Sequence, residues 1–241
     1  MKALDGSPVP LLMRIASHPL RWALMSELAA GDRRVGELVS ALGEPQNLVS
    51  YHLRLLRTAG LVVARRSNFD GRDSYYHLDL ASCATAFGAA ATALHPALRP
   101  AERRWPSGSS VLFLCTGNSA RSPMAEALLR HRAGDIDVTS AGSHPAAQVH
   151  PNAVRVLRTD YGIDLEPRPP QSLEALAGRR FDYVITLCDK IREVPRDHGS
   201  AVTAHWSLPN PSDAGTTNRA TYPEFRRVAR ELDTRIGFLP P

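Results

Sequence analysis

Two domains, a mainly helical one followed by an α/β one with a mostly parallel sheet, are predicted for this chain by three observations. Its 241 residues exceed the length of most single cores, which run to about 100–150 residues. The apolar pattern repeats at helical spacing before residue 95 and becomes an alternation of short apolar runs and amphipathic stretches after residue 110. Between them, "HPALRPAERRWPSGSS" replaces periodicity with prolines, charges and small polar residues, as a linker does. The expected division is residues 1–95, a linker at 96–109, and residues 110–241.

In the first part, "HPLRWALMSELAAG", "VGELVSALG" and "PQNLVSYHLRLLRTAG" read as three short helices. They end on Gly31, Gly43 and Gly60, where left-handed caps are wanted, and Pro45 suits a first helical turn. "LVVARRSNFDGRDSYYHLDL" follows as a hairpin around Asp70-Gly71. Phe87, Ala91, Leu94 and Leu98 then mark the apolar face of one more helix. In the second part, "SSVLFLC" is a short buried strand, "TGNSARS" a loop, and "PMAEALLRHRA" a helix opening on Pro123. "IDVTSAG" and "FDYVITLCD" are further strands, with "HPNAVRVLRTDYG" and "YPEFRRVARELDTRIGFL" as helices. Alternation of this kind builds a mostly parallel sheet covered by helices.

Several classes are excluded by composition. No apolar run approaches the roughly 18 residues needed to span a bilayer, and "MKALDGSPVPLL" lacks the apolar core of a secretory leader. A cytoplasmic protein without membrane partners is expected. The three cysteines, Cys83, Cys115 and Cys188, are too few and too scattered for a disulfide framework or a cysteine zinc site. No metal and no bound cofactor are expected. The formal charge of +5 is uneven: up to residue 105 there are 13 Lys and Arg against 9 Asp and Glu, and 16 against 15 thereafter. The basic surplus of the front half suits an anionic partner.

Two helices joined through Gly43-Glu44-Pro45 have the dimensions of a helix-turn-helix, whose second helix enters the major groove of double-stranded DNA. With Val49, Leu53 and Leu56 inward, Gln46, Asn47, Ser50, Tyr51 and Arg54 face outward. Gln and Asn pair with adenine edges and Arg with guanine or phosphate, while Arg65, Arg66 and Arg72 are placed to clamp the backbone. The alternative from the helix pattern alone is a protein-interaction module with a solvated polar face. Residues 14 to 80 resemble the winged helix-turn-helix domain of the arsenic-repressor (ArsR) family nearly end to end. That resemblance implies a repressor-like homodimer joined through the helix after Asp79. Where many members carry a metal-binding cysteine pair, this sequence has "RRVGEL", with Val35 and Gly36 unable to act as ligands. Cys83 is read as a buried small residue and His52 as a packed helix histidine.

The segment "LCTGNSARS" carries the chemistry. A loop between a strand and a helix N-terminus turns several backbone N–H groups into one concavity, a site for a tetrahedral oxyanion. Thr116, Gly117, Asn118, Ser119, Ala120 and Arg121 would form this cradle, with the Arg121 fork taking two oxygens. The same field favours the Cys115 thiolate as nucleophile, and the Ser122 hydroxyl is in place to stabilise it. The alternative, a structural cysteine beside a surface arginine, fits poorly with an apolar strand before it and a helix after it.

Residues 110 to 241 resemble the low-molecular-weight protein tyrosine phosphatase fold and its arsenate reductase branch, through "VLFLCTGNSARSPMAEALLR", "TSAGSHPAAQVHPNAVRVL", "YGIDL", "FDYVITLCD" and "HWSLPNP" in that order. The fold expected is therefore an N-terminal mainly-α winged helix-turn-helix and a C-terminal α/β, low-molecular-weight phosphatase-like domain. The resemblance implies that Cys115 attacks arsenate, that Cys188 resolves the adduct and forms a disulfide, and that Asn118 orders the cradle. Three departures stand out. The third cysteine of thioredoxin-coupled members is Pro195, so an external thiol or redoxin must act on the Cys115–Cys188 disulfide directly. The acidic residue before proline is Asn210, leaving Asp213 as the possible general acid. No aromatic residue follows, so arsenate suits the site better than phosphotyrosine. His205-Trp206 is read as packing, and His144 and His150 as surface histidines.

Three functions stay open on this reading. One is a DNA-binding regulator fused to a working arsenate reductase. Another is a pure regulator whose pocket senses an oxyanion or redox state. The third is a phosphatase acting on phosphoprotein.

Overall fold

The computed structural model describes residues 9–69, 71–95, 98, 105, 107–165, 168–193 and 201–239. The chain divides into two compact units, Met1–Arg65 with Ser74–Glu102, and Arg66–Asp73 with Arg103–Pro241. Most of the expected linker, and Asp70 of the expected turn, lie outside the described residues.

The first unit runs α1 (Leu11–Ala16), α2 (Pro19–Ala29), β1 (Arg33–Arg34), α3 (Val35–Leu42), α4 (Gln46–Thr58), β2 (Val62–Arg66), β3 (Ser74–Leu78) and α5 (Leu80–Leu94). His18 opens α2 by accepting the Leu20 N–H on its ring at 3.2 Å, and the Asp79 carboxylate does the same for α5 at 2.9 Å. Gly43 and Gly60 take left-handed φ values of 67° and 72° after α3 and α4. Gly31 does not cap α2 in that way: the helix stops at Ala29 with Ala30 still right-handed. Pro45 precedes α4 as its cap residue rather than lying in its first turn. Val49, Leu53 and Leu56 on α4 are buried with Leu24, Leu28 and Leu38 in one apolar cluster. The three strands pair in the order β1-β3-β2.

The face expected to be apolar on α5 is turned outward. Cys83 and Ala90 are its buried positions, whereas Phe87, Leu94 and Leu98 are exposed and Leu98 lies beyond the helix end. The core-facing set 83, 86, 90 keeps the same three- and four-residue spacing one step out of phase with 87, 91, 94. The short α1, which carries no periodic pattern of its own, was not expected from the sequence.

In the second unit β4 (Ser110–Cys115), α6 (Arg121–Ala133), β5 (Asp137–Gly142), α7 (Pro151–Tyr161), β6 (Tyr183–Thr186), α8 (Asp189–Glu193), β7 (Val202–His205) and α9 (Asn218–Gly237) follow in order. The sheet is β5-β4-β6-β7 with each neighbouring pair parallel. Central β4 is buried at five consecutive residues, Val111 to Cys115, because both of its faces are covered. β7 was hidden in the sequence, since "VTAH" is too short to show a period. The strands put Cys115, Gly142, Thr186 and His205 at their carboxyl ends, the edge along which parallel sheets of this kind place their sites.

The α4 packing is open to a direct test. Leu53→Ala should destabilise the chain by about 2–5 kcal/mol, while the neighbouring Arg54→Ala should stay within about 0.5 kcal/mol of wild type. Urea unfolding followed by circular dichroism measures both.

Candidate active site and DNA-facing surface

The strand β4 ends on Cys115, the loop spans Thr116 to Ala120, and α6 begins at Arg121. Arg121 and Ser122 therefore stand in the first helical turn, two residues earlier than Pro123, where the helix was expected to open. The carbonyls of Cys115, Thr116, Gly117 and Ser119 accept main-chain N–H groups from Ser143, His144, Ala146 and His150 at 2.8–3.3 Å. In a planar trans peptide the N–H points opposite to the C=O. The N–H groups of Thr116, Gly117, Asn118 and Ala120 are thus directed away from the 143–150 segment, on the side that a bound anion requires.

Asn118 fixes this shape. It is the single non-glycine with positive φ among the described residues, at 43°. Its buried amide donates to Ser122 Oγ at 2.9 Å and Ser140 Oγ at 2.8 Å, and its Oδ1 accepts from the Gln171 N–H at 2.7 Å. A left-handed residue costs about 1–2 kcal/mol, while three hydrogen bonds contribute about 0.5–1.5 kcal/mol each, enough together to offset it.

Around this frame Cys115 Sγ lies 3.0 Å from Ser122 Oγ. Arg121, only 7% exposed, donates from Nη1 to the Leu208 carbonyl at 2.9 Å. Cys188 follows β6 and is buried with its Sγ 3.3 Å from Thr116 Oγ1, the residue next to Cys115. Burial pushes the Cys188 thiol above its ordinary range, and the nearby Cys115 adds to this, while Arg121 and the Thr116 hydroxyl act the other way. Both thiols, the arginine and the loop are thereby brought into one neighbourhood.

Asn210 precedes a 3-10 turn over Pro211–Ala214 and donates from Nδ2 to Asp213 Oδ1 at 2.7 Å. The Asp213 carboxylate is exposed and held by that amide. Pro195 lies outside the described residues. Trp206 packs 6.0 Å from Phe113, and His205 is buried. His144 is exposed, but His150 is not a surface histidine: it accepts the Asn152 N–H at 3.1 Å and stacks on Phe225 at 4.4 Å. Burial keeps its ring less basic than usual. Gln171 was not singled out from the sequence, and Ser140 and the 143–150 segment entered only within a stretch that carries the resemblance, with no role in holding the loop. Their roles come from main-chain and hydroxyl contacts, which leave no residue-type signature.

On α4, Gln46, Asn47, Ser50, Tyr51 and Arg54 are all exposed, and the Arg54 guanidinium lies 5.5 Å over the Tyr51 ring. Arg57, overlooked in the sequence, joins Arg54 in lining an open groove of about 460 Å³ beside Val62, Val63 and Ala64. Arg66 and Arg72 are exposed. Arg65 departs from the expectation of a freely presented clamp: its Nε and Nη2 are shielded from solvent. His52 is buried and its ring lies 4.4 Å from that of His18. Among the described residues no group of three or more His, Cys, Asp or Glu is placed to hold a metal ion, and no helix is long and apolar enough to cross a membrane.

Gly142 gives the loop its clearest steric test. A Cβ there would stand 2.6 Å from the Thr116 carbonyl oxygen and 2.8 Å from the Asn118 nitrogen. Gly142→Ala should weaken binding of inorganic phosphate, read by protection of Cys115 from alkylation, about tenfold or more. Gly88→Ala, where no atom lies within 4 Å, should leave it unchanged.

Both parts of the chain match known families. The family model "Low molecular weight phosphotyrosine protein phosphatase" matches residues 110–239, and "Bacterial regulatory protein, arsR family" matches residues 18–63. An arsenate reductase of Halalkalibacterium halodurans is 37% identical over 128 residues, covering 52% of this chain and 91% of its own length. One of Bacillus licheniformis is 36% identical over 132 residues, covering 54% and 94%. A solved arsenate reductase of Archaeoglobus fulgidus is 28% identical, covers 54% of this chain and 97% of its own, and superposes with a TM-score of 0.45. The chain belongs to the low molecular weight phosphotyrosine protein phosphatase family, as an arsenate reductase-like enzyme with an ArsR-family helix-turn-helix ahead of the family domain.

Proposed function

We propose that the protein is a DNA-binding, repressor-like regulator joined to a working arsenate reductase. The observation that carries the reductase half is the 3.3 Å contact between Cys188 Sγ and Thr116 Oγ1, which sets a second thiol beside the loop that bears Cys115. Arsenate binds in the cradle of residues 116–121, its charge met by the loop N–H groups and by Arg121. The Cys115 thiolate, with Ser122 Oγ beside it, attacks arsenic, and one arsenate oxygen leaves as water after protonation. Asp213, steered by Asn210, is the proton donor of this reading. Cys188 then attacks Cys115 sulfur. The S–As electron pair stays on arsenic, which departs as arsenite, two electrons richer, while the two thiols become one disulfide. A small thiol or a redoxin returns it to the reduced state.

The regulatory half rests on the exposed set Gln46, Asn47, Ser50, Tyr51 and Arg54 as the surface for double-stranded DNA, and the exposed Arg66 and Arg72 are the backbone contacts of this reading. The outward face of α5, with Phe87 and Leu94, is the proposed contact of a homodimer. A second reading, a sensor without turnover, is favoured by one feature: an amide, Asn210, stands in the place of the family's acidic residue.

Single turnover decides between them. Reduced protein mixed with arsenate should form about one arsenite per chain, and Cys115→Ser and Cys188→Ser should each abolish it; binding without arsenite would leave the sensor. Because burial raises the Cys188 thiol above its ordinary range, its thiolate becomes more populated with rising pH. Arsenite release should accordingly accelerate from pH 7 toward 9, and a flat profile would contradict thiolate attack by Cys188.

A further inference from the structure

Asp189 directly follows Cys188 and is fully buried, an uncommon place for a carboxylate. It receives a 3.3 Å hydrogen bond from His205 Nε2. His205 is buried in turn, with its Nδ1 2.8 Å from Thr186 Oγ1. Thr186 and His205 are register partners at the carboxyl ends of β6 and β7. With Asp189 ionised, Nε2 carries the proton of that bond, and the Thr186 hydroxyl meets the ring at its other nitrogen. The chain Thr186–His205–Asp189 therefore ties two strand ends to the first residue of α8, the residue bonded to Cys188.

Burial alone would raise the Asp189 carboxyl, yet bonds from His205, from Ser207 and from the Asn68 N–H at 2.6 Å hold it below its ordinary range. A buried carboxylate kept ionised in this way strongly resists removal of its partner. Meanwhile the Cys188 carbonyl accepts from the N–H groups of Ile191 and Arg192 at 3.1 and 3.3 Å, so the cysteine's main chain is fixed on its other side too. None of these groups is needed to bind an oxyanion or to break a bond at arsenic. All of them bear on where the Cys188 thiol stands.

We infer that Asp189 and His205 are positioning residues for the second chemical step, holding the Cys188 thiol buried against Thr116 until it attacks Cys115. This rests on the two-cysteine reading above. In its absence Cys188 gains freedom, reacts more readily with outside reagents, and reaches Cys115 less often in the aligned geometry that sulfur attack requires.

The test uses the full reduced chain as wild type, Asp189→Asn and His205→Gln. Arsenite formed in single turnover, iodoacetamide alkylation of Cys188 by peptide mass spectrometry, and protection of Cys115 by inorganic phosphate are measured on each. The expected result for both variants is arsenite formation slowed about tenfold or more, Cys188 alkylated several-fold faster, and phosphate protection of Cys115 unchanged. Arsenite formation and Cys188 alkylation both within twofold of wild type would overturn the inference. So would loss of phosphate protection, which would make the pair a support of the whole domain. Absence of arsenite from wild type would instead bring down the two-cysteine reading, while faster Cys188 alkylation in the variants would still uphold the positioning role.

Discussion

The left-handed turn at Asn118, locked by three hydrogen bonds, is the constraint on which the rest of the site depends. It sets the direction of the loop's peptide planes. Once four carbonyls are turned onto the 143–150 segment, the opposed N–H groups have only one way to face. The same amide orients Ser122, and through Ser122 the environment of the Cys115 sulfur. A single side chain thus connects backbone conformation, anion geometry and nucleophile.

The parallel sheet supplies the second level of order. By ending β4, β5, β6 and β7 along one edge it collects residues from positions 115 to 205 within a small space. The Cys188 thiol there experiences two opposed influences: burial, which favours the neutral form, and Arg121 with the Thr116 hydroxyl, which favour the anion. Burial dominates. A thiol kept neutral and shielded in this way is protected from stray oxidation.

Much of this was legible in the sequence, and for identifiable reasons. The stretch from Cys115 to Arg121 was legible as a loop because an apolar strand precedes it and an amphipathic helix follows it, as β4 and α6 do. Val49, Leu53 and Leu56 announced the buried side of α4 through spacing alone. The failures are equally physical. The apolar stripe read on α5 faces outward, and spacing alone does not say which stripe of an alanine-rich helix meets the core. His150 looked like surface until its ring was seen capping α7 and stacking on Phe225. Arg65 is half-buried, with Nε and Nη2 shielded from solvent, a difference from Arg66 that residue type does not reveal. Gln171 acts through its main chain, and Asp189 through burial, neither of which is written in residue type.

The central claim is that Cys115 and Cys188 act as one redox pair across the Thr116 contact. Disulfide mapping after a single turnover with arsenate tests it most directly. The account predicts one Cys115–Cys188 bond for each arsenite released, with Cys83 still a free thiol. Arsenite released while Cys188 remains reduced, or a disulfide that includes Cys83, would contradict it.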